Sequence, residues 1–338
     1  MRRNQTLLSA AAVLVSAALL TSCSGSPSSG SSNSAGAGEL TSITVGVLPI
    51  VDVLPVYVGI QEGIFKKHGL EVTPSVAQGG AALIPSVLQG SVPITFTNTI
   101  SHMIAYNKGL PVKYLASAVY SESPSGPSSA DHPASILATA PDSPITSVKQ
   151  LAGKTISINA LKGIQELAVR NAVDVGGGDS STVKFLALPL QQAQGALEAG
   201  RVDAISINEP FTTAALKAGD QIIAHPFTDF KIPAADYADY TTSTKYADAH
   251  PDVVKNFTAA ITEASEWART HEAAARKVLL TYTKLSAQDA QEITLPYYEA
   301  QADPASLQEL ADLALKYKIL DKPLDVTSML GDAAVLQK

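Results

Sequence analysis

From Ile43 onward, β-branched apolar runs of four to six residues alternate with stretches whose apolar positions recur at helical spacing. Alternation of this kind builds a parallel sheet through crossover helices, so the pattern predicts an α/β fold. Strands are expected at 43–48, 70–76, 92–97, 112–118, 136–140, 154–158, 183–187, 204–207 and 221–225. Helices are expected after Pro55 and over 81–89, 100–108, 164–175, 191–199 and 210–218. The first of them presents Val56, Ile60, Ile64 and Phe65 on one face and stops at His68 and Gly69, where glycine can take the left-handed C-terminal conformation. A stretch rich in Ser and Pro, 121–134, interrupts the pattern. Beyond about residue 240 the chain reads as helices at 251–270, 272–282, 287–294 and 304–318.

A repeat emerges when Gly90 is placed on Gly200. Val92 then falls on Val202, Asn98 on Asn208 and Gly109 on Gly219, all at a spacing of 110 residues. Each asparagine ends a predicted strand and opens a helix, and ligands of open α/β sheets bind at the carboxyl ends of strands. Two similar halves would bring equivalent strand ends face to face.

The N-terminus carries a different pattern. Arg2 and Arg3 precede an apolar stretch from Leu7 to Leu20 and then Thr21-Ser22-Cys23, with no acidic residue. This reads as a three-part signal peptide, too short to span a bilayer, which takes about twenty residues. Leu20 to Cys23 resembles the bacterial lipobox, which implies a lipid on Cys23, the one cysteine of the chain; the plain alternative is a secretory signal with a chance cysteine. Residues 24–38 are almost entirely Ser and Gly, a flexible tether with a span of roughly 20 Å. The 24–40 segment therefore separates residues 1–23 from a body that begins near Leu40.

That body, about 300 residues long, exceeds the size at which one core stops growing, so two lobes are expected. The formal charge of −7 becomes −9 without Arg2 and Arg3, and no basic face with interleaved aromatics occurs; nucleic acid is not an expected partner. Gly153-Lys154-Thr155 lacks the earlier glycine of a phosphate loop and precedes a strand instead of following one. His271-Glu272 has Ala275 where a zinc protease needs a second histidine. Gly-x-Ser-x-Gly is absent, and Ser181 to Lys184 matches S-x-x-K by spacing alone. Aromatics make up 6% of the chain, whereas sugar clefts stack rings on aromatic faces. No cofactor or metal is expected.

Val56 to Val72, an aromatic-bearing helix closing on F-K-K-x-G-L-x-V, Leu151-Ala152-Gly153-Lys154-Thr155, Gly200-Arg201-Val202-Asp203-Ala204 and Glu209-Pro210-Phe211 together resemble the solute-binding proteins of ABC importers for nitrate, taurine, alkanesulfonates and thiamine-type pyrimidines. The resemblance implies the two-lobed periplasmic binding protein type II fold with two crossovers, near 134–139 and 226–240. Lobe 1 would comprise 41–135 plus 235–338, and lobe 2 would comprise 136–234. A ligand would bind between the lobes and close the hinge.

Candidate ligand groups follow from the strand ends. Thr97, Asn98 and Thr99 offer amide and hydroxyl groups beside helix N–H groups, although Asn and Thr are also favoured as simple caps. Asn159, Leu161 and Lys162 hold the equivalent place in the second half, with Lys162 either pairing an anion or solvated, and Gly163 allowing close backbone approach. Asn208, Glu209 and Phe211 hold the third; Glu209 either faces an amino or amidine group or serves the helix dipole. Pro49 and Asp52 follow the first strand, where relatives contact ligand, although Asp52 could instead cap the next helix. Tyr120 and Tyr240 could cover the ligand, and Trp267 reads as core.

The function implied is an extracytoplasmic, lipid-anchored receptor that captures a sulfonate, nitrate, carboxylate or aminopyrimidine and delivers it, as a monomer, to ABC permease subunits. A ligand-sensing lipoprotein is a second reading. The enzymes that share this resemblance, a cysteine-dependent desulfinase and a pyrimidine-forming enzyme with a cysteine-rich motif, need thiols that this chain commits to Cys23 alone.

Overall fold

The first strand, β1 (Thr41–Val47), leads through a 3-10 turn at Val51–Val53 to α1 (Leu54–Gln61), α2 (Ile64–Lys67) and β2 (Leu70–Val76). The helix expected as one piece is broken at Gly63, whose φ of 70° is left-handed. There follow α3 (Leu83–Leu88), β3 (Ile94–Asn98), α4 (Thr99–Asn107) and β4 (Val112–Tyr120). This computed structural model describes residues 39–77, 79–121, 134–229, 232 and 234–331. Cys23, the signal segment and nearly all of the tether lie outside the described residues.

A second set of elements runs β5 (Ser135–Thr139), β6 (Thr155–Ile158), α5 (Ile164–Val175), β7 (Lys184–Ala187), α6 (Leu190–Glu198), β8 (Ala204–Asn208), α7 (Phe211–Lys217) and β9 (Gln221–Ala224). The chain then returns to the first sheet in β10 (Asp236–Ser243). It ends in α8 (Thr244–Ala249), α9 (Pro251–Thr270), α10 (Glu272–Leu279), α11 (Ala287–Glu292), β11 (Tyr297–Tyr298), α12 (Pro304–Lys316) and α13 (Val326–Leu330).

Two sheets result, ordered β11-β4-β10-β3-β1-β2 and β7-β6-β8-β5-β9. Neither is wholly parallel, contrary to the simplest reading of the β/α alternation. β1 pairs in parallel with β2 and β3, and β6 with β7 and β8, but β10 lies antiparallel to β3 and β4, as β5 does to β8 and β9. The antiparallel strand in each case is the one by which the chain enters that sheet from the other. β3 and β8 thereby occupy equivalent places, each between a parallel and an antiparallel neighbour, and the 110-residue repeat falls on them. Its four glycines, Gly90, Gly109, Gly200 and Gly219, all have φ between 64° and 88°, a conformation that disfavours other residues.

β10 escaped the sequence pattern because its sequence, DYADYTTS, carries no apolar run, yet every one of its residues is buried. Several of its polar groups bond inside the first lobe, while Asp236 Oδ1, Asp239 Oδ2 and the Tyr240 hydroxyl have no hydrogen-bond partner among the described residues. His102 Nδ1 lies 2.5 Å from Thr241 Oγ1 and 3.3 Å from Asp239 Oδ1, and Tyr114 and Ser117 hydroxyls donate to Asp236 Oδ2. Burial raises the Asp236 carboxyl well above the usual range. Behind this strand Phe96, Tyr240, Phe257 and Phe65 pack ring against ring, and α9 and α10 close over α1.

Candidate functional site

The carboxyl ends of β1, β3, β6 and β8 meet at one small cavity of about 20 Å³. Its polar lining is Asp52, Asn98, Asn159, Gln165 and Asn208, and Phe96, Phe227 and Tyr237 supply rings. A space of that size holds about one water molecule, so a ring-sized ligand enters only when the lobes part. They are bonded to each other here. Asn98 Oδ1 accepts from Ile164 N at 3.2 Å, Asn208 Nδ2 donates to Asp52 Oδ2 at 3.4 Å, and Val51 N donates to the Glu209 carbonyl at 3.2 Å.

Each polar group is aimed by its own element. Asn98 ends β3 and caps α4, accepting from Ser101 N at 2.9 Å; the same oxygen also reaches the other lobe, so capping and cleft roles coincide. A Cβ at Gly163 would meet Asn98 Nδ2 at 3.5 Å, an ordinary contact, and the Ala160 carbonyl more tightly at 3.3 Å. Gln165, on the first turn of α5, accepts from Asn159 N at 2.7 Å and donates to Asn208 Oδ1 at 2.9 Å. Asp52 does not cap the following helix, whose cap is Val53. The turn that carries it is tied from behind, because Tyr298 and Tyr282 hydroxyls donate to the carbonyls of Val51 and Ile50.

Asp52 is the chemical centre of the cavity. It is 2% exposed, and Oδ1 has no hydrogen-bond partner among the described residues. Burial pushes its carboxyl up to about 7 against the opposing pull of the Asn208 amide. Its charge also helps to hold the Tyr237 and Tyr298 phenols well above their ordinary range, behind the larger effect of burial. Asn159 Oδ1 is a second buried acceptor without a partner among the described residues. Among the described residues no Lys or Arg lines this cavity. Two free acceptors and no cation suit a group that donates hydrogen bonds.

Several expected site residues are elsewhere. Leu161 is 57% exposed, and Lys162, at a left-handed φ of 55°, turns outward while its N–H donates to Glu166 Oε2. Glu209 is buried, but its carboxylate accepts from the N–H and hydroxyl of Thr213 and so serves the start of α7. Thr97 and Thr99 are buried beside Asn98 without lining the cavity; strand alternation turns Thr97 to the face opposite Asn98. Tyr120 donates to the Gln301 carbonyl, and Tyr240 packs edge-on against Phe96 and Phe257. Trp267 stacks on His271 in α9, away from the cavity, as expected. Pro49 and Phe211 stand one step outward, lining a neck of about 10 Å³ with Gly79, Gly80 and Asn159. Gln165 and Tyr237 were not anticipated. Gln165 sits where a strand end opens a helix, the same signal that marked Asn98, whereas Tyr237 lies on the strand that had no apolar pattern.

Among the described residues no His, Cys, Asp and Glu cluster is placed to hold a metal ion, and no helix is long and apolar enough to cross a membrane. The formylaminopyrimidine-binding protein of Halalkalibacterium halodurans is 23% identical over 228 residues, 67% of this chain, and the chain spans 65% of that relative's own length, short of two thirds. Among solved structures, the alkanesulfonate-binding protein SsuA of Xanthomonas axonopodis pv. citri, bound to MOPS, superposes with a TM-score of 0.71 at 19% identity, covering 86% of this chain and 98% of that one. The periplasmic nitrate-binding protein NrtA of Synechocystis PCC 6803 also gives 0.71, at 14% identity, covering 86% and 85%. These likenesses show the two-lobed periplasmic binding protein fold. The family model described as NMT1/THI5 like matches residues 50–275, two thirds of the chain, and with that match the chain belongs to the NMT1/THI5-like family.

Proposed function

We propose that this chain is the extracytoplasmic solute-binding protein of an ABC importer, lipid-anchored at Cys23, and that its ligand is an amino-bearing heteroaromatic of the aminopyrimidine kind. The observation that carries the ligand class is Asp52, a buried carboxyl in a cavity that has, among the described residues, a free carboxyl oxygen, a free amide oxygen, three rings and no cation. A sulfonate, nitrate or carboxylate would face that carboxyl with no opposite charge beside it among the described residues, an arrangement that costs free energy on both sides. An amino or amidine N–H supplies the missing donors, and once the lobes part Phe96 and Tyr237 offer rings for a flat ligand to pack against.

Binding rather than catalysis is favoured because the one cysteine stands at position 23 and no Ser, Thr, His or Lys is among the described residues that line the cavity. In the proposed assignment, 41–135 plus 235–338 form one lobe and 136–234 the other, hinged where the chain passes between sheets. The protein works as a monomer that presents its closed form to permease subunits.

Thermal denaturation with 4-aminopyrimidine, taurine, an alkanesulfonate, nitrate and benzoate tests the ligand class. Ligand at a hundred times its dissociation constant stabilises by about 2.7 kcal/mol, several degrees at this size. Stabilisation by the anions with none from the aminopyrimidine would overturn the class. For the anchor, Cys23→Ala should release the protein into the medium; retention on the membrane would refute lipidation there.

A further inference from the structure

Outside the neck formed by Pro49, Gln191 and Phe211 lies a chamber of about 580 Å³, far larger than the cavity around Asp52. The three spaces form a series, because Asn159 and Leu190 line both cavity and neck, and Pro49, Gln191 and Phe211 line both neck and chamber. The chamber walls come from both lobes. Phe211 and Ala214 stand on α7, facing Tyr282 and Leu285 from the segment between α10 and α11. Tyr282 is held rigid, its ring stacked on Tyr57 at 3.8 Å and its hydroxyl bonded to the Ile50 carbonyl. Lys217 bridges to Asp289 and Glu292 at the rim, tying α7 to α11.

Resting on the aminopyrimidine-type reading above, we infer that the ligand has two parts: a hydrogen-bond-donating head on Asp52 and Asn159, and an apolar group that passes Pro49 and Phe211 into the chamber between Phe211 and Tyr282. The outer wall is mainly apolar and aromatic, so it recognises by buried area where the inner cavity recognises by donors. Because the two faces of the chamber belong to different lobes, filling it favours the closed arrangement from a second place. A molecule carrying both parts is therefore held far more tightly than the head alone.

The test is calorimetric titration of the full chain in detergent with 4-aminopyrimidine and with its 5-propyl and 5-benzyl derivatives. Each buried methylene should tighten binding about fourfold, so the propyl compound, with three such groups, should bind roughly 60-fold more tightly than the parent. Ala214 is an exposed position on α7 that lines only the chamber. Ala214→Trp should leave affinity for the unsubstituted head unchanged and remove the gain from propyl and benzyl. If the head binds but the substituents give no gain, or if the gain survives in Ala214→Trp, the two-part ligand is overturned while the ligand class stands. If 4-aminopyrimidine itself does not bind, the class fails and the two-part ligand fails with it.

Discussion

Asn98 and Asn208 hold the same place in the two sheets, at the end of a strand flanked by one parallel and one antiparallel neighbour, yet they do different work. Asn98 caps its own helix and gives the same oxygen to Ile164 of the other lobe. Asn208 caps nothing, because the next residue, Glu209, takes over the N-terminus of α7. Freed from that task, the Asn208 side chain joins Gln165 to Asp52. A repeat thus preserves backbone position while the adjoining residue decides what the side chain is free to bind. One extra carboxylate turns a capping position into a site position.

The comparison can be broken most sharply at Asp52. Its folded pKa, raised from 3.8 to about 7, means that the folded chain keeps a proton the unfolded chain has released. The stability that this group contributes is full below pH 4 and lost as pH rises through 7. Asp52→Asn should flatten that fall, be more stable than the parent at pH 8 by up to a few kcal/mol, and abolish the ligand-induced shift. Denaturation midpoints between pH 4 and 8 check it; a variant whose curve runs parallel to the parent's would mean that the carboxyl is already ionised in the folded chain.

Asn208→Ala comes next, leaving the buried Gln165 amide without an acceptor at a cost of about 1–3 kcal/mol. That cost should grow above pH 7, where Asp52 is charged and needs the amide most. Asn98→Ala should cost about 1 kcal/mol, the usual loss of a cap, and the loss should be the same at pH 5 and pH 8. Equal pH dependence for the two alanine variants would erase the distinction between them. Smallest is Glu209→Gln, which keeps an acceptor for Thr213 and gives up charge at a helix start, about 0.3–1 kcal/mol. Ligand affinity should be unchanged, and a tenfold loss in titration would return Glu209 to the cavity.

Much of this was legible in the chain. Helix α9 and strands β1 to β9 follow from apolar periodicity, and Asn98, Asn159, Asn208 and Asp52 follow from the rule that strand ends carry ligands. What was hidden has physical causes. β10 is polar in sequence because its Asp and Thr side chains bond inside a buried network with His102, Tyr114 and Ser117, and periodicity reads apolar residues only. Tyr237, which lies on it, was hidden for the same reason. Leu161 and Lys162 were misplaced because a single left-handed residue turns that loop to solvent, and no spacing rule reports the sign of φ at a lysine.

On the proposed solute-binding function, the hydrogen bonds that join the lobes through Asn98, Asn208 and Val51 make the protein a competitor of its own ligand. Whatever binds must replace contacts the two halves already offer each other, so the measured dissociation constant exceeds the intrinsic one by the inverse of the fraction that stands open. Discrimination then begins before any ligand is touched. A weak impostor that cannot match those internal bonds would be refused by the protein's closure on itself, and a substitution that loosens closure should tighten apparent binding and coarsen selectivity together.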